Sequence, residues 1–259
     1  IGFIITDERR SGKRILGMLW RVTRIGPAVV NQENGRLTLT TPPTPTAAYC
    51  DAQISDYETV ADFKWQPPLR LCVTAKMTPG AGQLRGTAGF GFWNQPFMPD
   101  QWSLRLPRAI WFFFSSPPSD MRLAQDVSGP GWKAATMDAK RWQFLALAPL
   151  APLGFLLMRV PALYDRLWPL GQRAIGVSET MLDSQLLAES HTYQLDWRRD
   201  GATFYVDDVV VHEAPTAPGG PLGFIAWVDN QYAVVTPQGR FRFGLVPLAA
   251  QISPMAANF

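Results

Sequence analysis

The chain has 259 residues, with 24 Lys plus Arg against 21 Asp plus Glu, and 47% of it is apolar. Charged residues make up only 17%, against about 25% in an average soluble domain, which excludes a disordered polyelectrolyte, a coiled coil and a highly charged scaffold. With 21 Gly and 23 Pro, turns and short strands are favoured over long helices, and a chain of this length buries enough surface to fold without a disulfide or metal staple.

Residues 1–30 read as an N-terminal arm. Arg9, Arg10, Lys13, Arg14, Arg21 and Arg24 concentrate positive charge there, and 11–25 has the spacing of a short basic amphipathic helix. The arm is expected to be solvated, the alternative being contact with an anionic surface such as a membrane. A nucleic-acid binder would carry a basic stripe interleaved with aromatics. The net charge is only +3 and no such stripe exists, so no nucleic-acid partner is expected.

From 31 to 137 the pattern is one of strands. RLTLT (36–40) alternates apolar and polar, and YCDAQISDY (49–57), ADFKW (61–65) and LRLCVTAKM (69–77) continue the rhythm between Pro-rich and Gly-rich breaks. TAGFGFWN (87–94) and RAIWFFFSS (108–116) are near-continuous apolar runs, as expected of strands covered on both faces. These two are expected to be neighbours, because Gly89 and Gly91 leave one face open for the rings of 111–114.

Residues 138–188 break the rhythm. Phe144 to Met158 carries no charge over fifteen residues, and Pro149, Pro152, Pro161 and Pro169 prevent one long helix. Short helical pieces inserted into a β domain are expected. Leu150, Leu153, Phe155 and Leu156 are expected to be buried as a lid over one end of a cleft. The alternative is an apolar patch, fringed by Arg141, Arg159, Arg166 and Arg173, in peripheral contact with a membrane.

Strands return over 189–259. HTYQLDWRR (191–199) alternates, Asp200-Gly201 signals a hairpin turn, and ATFYVDDVVVH (202–212) pairs back. LGFIAWVDNQYAVV (222–235) is a long strand interrupted near Asn230, and GRFRFGLVPL (239–248) is the last. The fold expected is all-β, a jelly-roll sandwich of two antiparallel sheets with a helical insertion, forming a single domain over 1–259. Its sandwich comprises 31–137 and 189–259, and the alternative is two domains split by the insertion.

The stretch 191–230 resembles a block of laminarinase-like β-glucanases and related concanavalin A-like jelly rolls: His191, Tyr193 and Trp197, then a turn, then Phe204, Val206, Asp207 and Val210. The resemblance implies the concanavalin A-like fold. Phrases such as DAQISDY, GTAGFGFWN and WFFFSSPPSDM also look like a group of uncharacterised bacterial proteins with this fold. The glucanases carry E-x-D-x-x-E on a cleft strand, which supplies the two carboxyls of retaining hydrolysis. The strand in the corresponding order here, RAIWFFFSS, has no carboxylate, so glucanase chemistry is not expected and the cleft floor should be aromatic.

A carbohydrate, or another small ligand with an apolar face, is therefore the expected partner. The candidate ligand-binding residues are Trp93, Asn94, Trp111, Trp227, Asp229 and Asn230, since rings stack on sugar faces and nearby amides or carboxylates bond hydroxyls. An enzyme using Asp51, Asp56 and Asp229 is the alternative. Asp51 and Asp56 differ by five positions, so an ideal strand puts them on opposite faces. A serine nucleophile at Ser115 or Ser116 served by His191 or His212 lacks the G-x-S-x-G elbow. Two cysteines, Cys50 and Cys72, form no framework and are expected to be reduced. No metal-ligand spacing is present, and no cofactor is expected.

Overall fold

The computed structural model describes residues 2–6, 20–33, 36–43, 48–78, 84–95 and 105–248, with backbone alone at 2–6 and 78. In chain order the first strands are β1 (Gly2–Thr6), β2 (Arg21–Ile25), β3 (Val29–Glu33), β4 (Arg36–Thr40), β5 (Asp51–Ser55) and β6 (Leu69–Thr78). Then come β7 (Thr87–Trp93), β8 (Arg108–Ser115) and β9 (Gly131–Asp138), followed by helices α1 (Trp142–Leu147), α2 (Ala151–Leu157) and α3 (Pro161–Ile175). The remaining strands are β10 (Ser178–Leu182), β11 (His191–Trp197), β12 (Ala202–Val206), β13 (Val209–Ala214), β14 (Gly223–Asp229), β15 (Gln231–Val235) and β16 (Phe241–Leu245).

The fold is an all-β jelly-roll sandwich. One seven-stranded sheet has the order β13-β12-β11-β6-β1-β4-β3, and the facing one has β10-β9-β8-β7-β14-β5-β2, with β15-β16 as a separate hairpin. Alternation along each strand fills the space between the sheets. Phe90, Phe92, Phe112, Trp132, Tyr193, Trp197, Phe204 and Phe224 are all buried there. Their rings meet edge to face, with Phe112 at 5.1 Å from Tyr193 and 5.2 Å from Phe204, the arrangement aromatic quadrupoles prefer. Tyr193, Trp197, Phe204 and Val206, which carry the sequence resemblance, are thus core residues. The β11–β12 hairpin forms at Asp200-Gly201, and Asp207 and Asp208 turn the chain from β12 into β13 with φ of 49° and 65°. Such values suit a two-residue hairpin turn and are tolerated best by Asp, Asn and Gly.

Several expectations are corrected. The arm reading of 1–30 fails for its described parts. Gly2–Thr6 is an interior strand between β6 and β4, and Arg21–Ile25 is an edge strand beside β5; RVTRI has a β-branched alternation that pairing satisfies better than helix. Residues 7–19, the rest of that basic segment, lie outside the described residues. ADFKW is no strand: Thr59 and Asp62 close a capping box around a 3-10 turn at Val60–Asp62. The stretch 138–188 is not helical throughout: after Ile175, β10 adds an edge strand to β9, and only a 3-10 turn at Ser184–Leu187 follows.

The lid expectation is also overturned. Leu150, Leu153 and Leu156 are 60%, 55% and 60% exposed, and Phe155 is half-buried against Phe241. The reason lies in α3. It carries the docking contact itself, burying Trp168, whose Nε1 donates to the Leu123 carbonyl at 2.8 Å. With α3 seated, the leucine-rich face of α2 is left pointing outward.

Candidate functional site

In the second sheet, residues alternate between the core and the outer face. Phe90, Phe92, Ile110, Phe112, Phe114, Ala226 and Val228 face the core. Their neighbours Trp93, Trp111, Phe113, Ile225 and Trp227 form a separate apolar cluster with Met121. Strand register arranges this outer face in rungs. The first is Ser115–Thr87–Asp229–Asp51. The next is Lys133–Phe113–Gly89–Trp227–Gln53, then Ala135–Trp111–Gly91–Ile225–Ser55, then Ala109–Trp93–Gly223. One end of the face is polar and acidic, and the remainder is aromatic.

Glycines make the aromatic floor possible. A Cβ on Gly89 would lie 2.8 Å from the Trp227 ring, so the indole crosses the strand where a side chain is missing. Trp227 lies parallel to Trp93, with centroids 6.5 Å apart and planes 9° apart, and Trp111 lies 5.5 Å from both Trp227 and Phe113. Trp227 and Phe113 are buried, whereas Trp93 and Trp111 are half-buried. The Trp93 indole N–H donates to the Tyr57 hydroxyl, and that of Trp227 to Thr87 Oγ1 at 2.9 Å. The expected pairing of β7 with β8 is present, and it sets Gly89 opposite Phe113 and Gly91 opposite Trp111.

One wall of this floor is the segment 121–124. The Glu179 carboxylate accepts from the Leu123 and Ala124 amides at 3.2 and 2.8 Å, and its other oxygen lies 3.3 Å from Lys133 Nζ. Lys133 also donates to the Met121 carbonyl at 3.4 Å. Burial pushes the Lys133 ammonium down and the Glu179 carboxyl up from their usual values, and their mutual attraction opposes both shifts. Neither residue stood out in the sequence, because the pair spans 46 positions and each sits in an unremarkable strand.

At the acidic end, Asp229 Oδ1 accepts from Thr87 Oγ1 at 2.8 Å and from the Gln231 amide at 3.0 Å. Asp51 is its cross-strand partner and is also buried. Tyr49 hydrogen-bonds the Asp51 carboxyl, whose Oδ1 has no partner among the described residues. Desolvation, then the charge of Asp229, raises Asp51 to about 8. Desolvation raises Asp229 to about 6, against the pull of its hydrogen bonds to Thr87 and Gln231. Two adjacent buried carboxyls cannot both ionise cheaply, so burial and their mutual repulsion favour a shared proton over two charges.

Other candidates do not join this site. Asp56 sits at the opposite end of β14 from Asp229, where it accepts from the Phe224 amide at 2.7 Å and from the Trp65 indole, and pairs with Lys64 at 3.2 Å. It is a structural clasp and not a member of an acid pair with Asp51. Asn94 is occupied by backbone, donating to Leu106 O at 2.9 Å and accepting from Arg108 N at 2.9 Å. Asn230 is fully buried and bonds Cys50 N, Ala48 O and Val246 O. Asn230 has no exposed atom to offer a ligand and leaves the ligand-binding set, while the Asn94 amide serves first as a backbone clasp between Leu106 and Arg108. Polar residues at strand ends look alike in sequence whether they face ligand or latch a loop. His212 bonds Ser178 and Thr180, and His191 pairs with Asp207. Both histidines lie on the first sheet, whereas Ser115 is on the second and Ser116 follows it, so neither Ser115 nor Ser116 is served by His191 or His212. Cys50 precedes β5 while Cys72 lies on β6 of the other sheet, and they form no disulfide with each other.

Comparison with known proteins finds a family match over part of the chain. Residues 170–221 match the family model described as Glycosyl hydrolases family 16, a stretch that runs from the end of α3 through β13. Among solved structures, the Bacillus licheniformis β-glucanase is similar at 14% identity and TM-score 0.43, over 88% of this chain and 84% of that one. A Clostridium perfringens endo-β-galactosidase that releases GlcNAcα1-4Gal is similar at 16% identity and TM-score 0.42, over 78% of this chain and 47% of that one. The Crh5 transglycosylase in complex with NAG follows at 12% identity and TM-score 0.36, over 80% of this chain. The chain spans 62% of that transglycosylase's length. No curated protein matches.

Proposed function

We propose that this protein binds a carbohydrate on the aromatic outer face of its second sheet, and that it binds without cleaving. The observation that carries the reading is the pair Trp93 and Trp111. Both are half-buried, and both are backed by the buried rings of Trp227 and Phe113. A rigid, part-exposed aromatic floor offers sugar C–H faces an apolar contact at little entropic cost. The match to a carbohydrate-active family supports the same ligand class. Trp111 and Phe113 occupy the outward positions of β8, the strand that chain order matches to the one bearing the glucanase carboxyls, and rings there support binding without cleavage.

A second reading rests on Asp51 and Asp229. A protonated carboxyl beside an ionised one is the arrangement that acid/base hydrolysis uses. Their burial, and the occupation of Asp229 by Thr87 and Gln231, favour a structural role.

The test is a tryptophan-fluorescence titration with β-glucan and β-galactan oligosaccharides, run beside a reducing-sugar assay. Saturable binding is expected, with Trp111→Ala and Trp93→Ala each weakening it about tenfold, the scale of one lost aromatic contact. No sugar should be released. Binding that both variants leave unchanged would refute the platform. Release of sugar abolished by Asp229→Asn would install the second reading.

A further inference from the structure

The surface left open by the helices has a composition that points to a specific partner. Trp142 is 72% exposed on α1, and Leu150, Leu153 and Leu156 stand out along the turn and helix that follow. The β15–β16 hairpin extends the same surface, because Phe155 of α2 meets Phe241 edge to face at 5.8 Å. Phe241 and Phe243 are 58% and 62% exposed. The hairpin turn also lies against the Phe155 ring, since a Cβ on Gly239 would sit 3.4 Å from its Cγ. Exposed apolar residues scattered singly need no explanation, but a cluster on two adjoining elements does.

The charge carried by these elements themselves is one-sided. Between Ala139 and Val177 the charged groups are Lys140, Arg141, Arg159, Arg166 and Arg173, against Asp165 alone. The hairpin adds Arg240 and Arg242 and no acid. All of these cations except Arg141 are exposed. A protein partner would commonly meet a mixture of charges, whereas exposed apolar side chains on elements whose charges are almost all cationic match the acyl boundary and phosphate layer of an anionic bilayer. Trp142 supplies the amphipathic ring that settles at headgroup depth. Among the described residues no helix is long and apolar enough to cross a membrane, so this contact is peripheral.

We infer that the α1–α2 face and the β15–β16 hairpin together form a docking surface for an anionic lipid bilayer. The inference does not depend on the sugar platform, since the two surfaces share no residue.

Flotation of the full chain with vesicles of phosphatidylcholine containing roughly 30% phosphatidylglycerol tests it. Binding is expected, falling at least about tenfold in pure phosphatidylcholine or at high salt. Leu153→Glu with Leu156→Glu should abolish it, and Arg159→Glu with Arg173→Glu should weaken it at least about tenfold. Circular dichroism and thermal melting check that each variant folds. The arginine pair is exposed, so it keeps the test open if the leucine variant does not. Failure of the wild-type chain to float, or flotation indifferent to both variants, overturns the inference. So does a micromolar dimer in ultracentrifugation that the leucine variant dissociates, because the surface would then belong to a second copy.

Discussion

Asn230→Ala is expected to cost about 3 kcal/mol of stability, measured by urea denaturation. Asn230 is completely buried between β14 and β15. Its Oδ1 accepts from Cys50 N at 2.9 Å, and its Nδ2 donates to Ala48 O at 2.8 Å and Val246 O at 3.0 Å. Its backbone adds bonds to Cys50 O and Val246 N at 3.2 and 2.7 Å. One amide thus ties the entry of β5, the end of β14 and the exit of β16 together. Truncation orphans the buried Cys50 N–H and Val246 C=O at about 1 kcal/mol or more apiece after partial relaxation, and the emptied side-chain volume adds about 1 kcal/mol, while the Ala48 carbonyl is exposed enough to turn to water. Asn230→Asp should be worse, because it points acceptors at two carbonyls and adds a charge next to Asp229. A loss under about 0.5 kcal/mol for the alanine variant would show that the three chain segments are held by something else.

Asp51→Asn is expected to stabilise the chain by about 2 kcal/mol at pH 8 and to change little at pH 4. The folded pKa of Asp51 is raised to about 8 and that of Asp229 to about 6, above the ordinary value near 4 in the unfolded chain. A raised pKa means that the folded state keeps protons the unfolded state has released. Stability is therefore full below about pH 4 and falls as the pH climbs toward 8, by at most about 1.4 kcal/mol per pH unit for each group. Asp229 contributes only up to about pH 6, and Asp51 carries the remainder. Relaxation and water entry reduce the full shift, hence the smaller figure. Thermal melts from pH 4 to 9 check this. Asp229→Asn should also draw the Asp51 titration downward, since the Asp229 charge is its second cause. Stability that rises between pH 5 and 8 in the wild-type chain would contradict the account.

Much of the sandwich was legible because its strands announce themselves by period. RLTLT and LRLCVTAKM alternate cleanly, and Gly89 and Gly91 beside a run of rings announced the β7–β8 pairing. What escaped were elements whose partners lie far away in sequence. β9 holds Lys133, a residue that argues against a buried strand until Glu179 of β10 is placed beside it. β10 reads SETML, too polar to stand out next to an apolar helical segment. Asp51, Trp227 and Asp229 were each singled out, yet the joining of Asp51 to Asp229 and of Trp227 to Gly89 rests on strand register. Asn230 attracted attention as a polar intrusion, and only its three backbone partners show that it is a lock. The outward leucines of α2 were expected inside because fifteen uncharged residues demand a partner. The sequence could not show that α3 had already taken the docking position.

A crystal structure of the protein with a β-glucan hexasaccharide tests the central claim most directly. The account predicts an intact sugar chain lying against Trp93 and Trp111, with Trp227 and Phe113 unmoved beneath them. A sugar bound elsewhere on the molecule, or a cleaved one ending at Asp51 and Asp229, would contradict it.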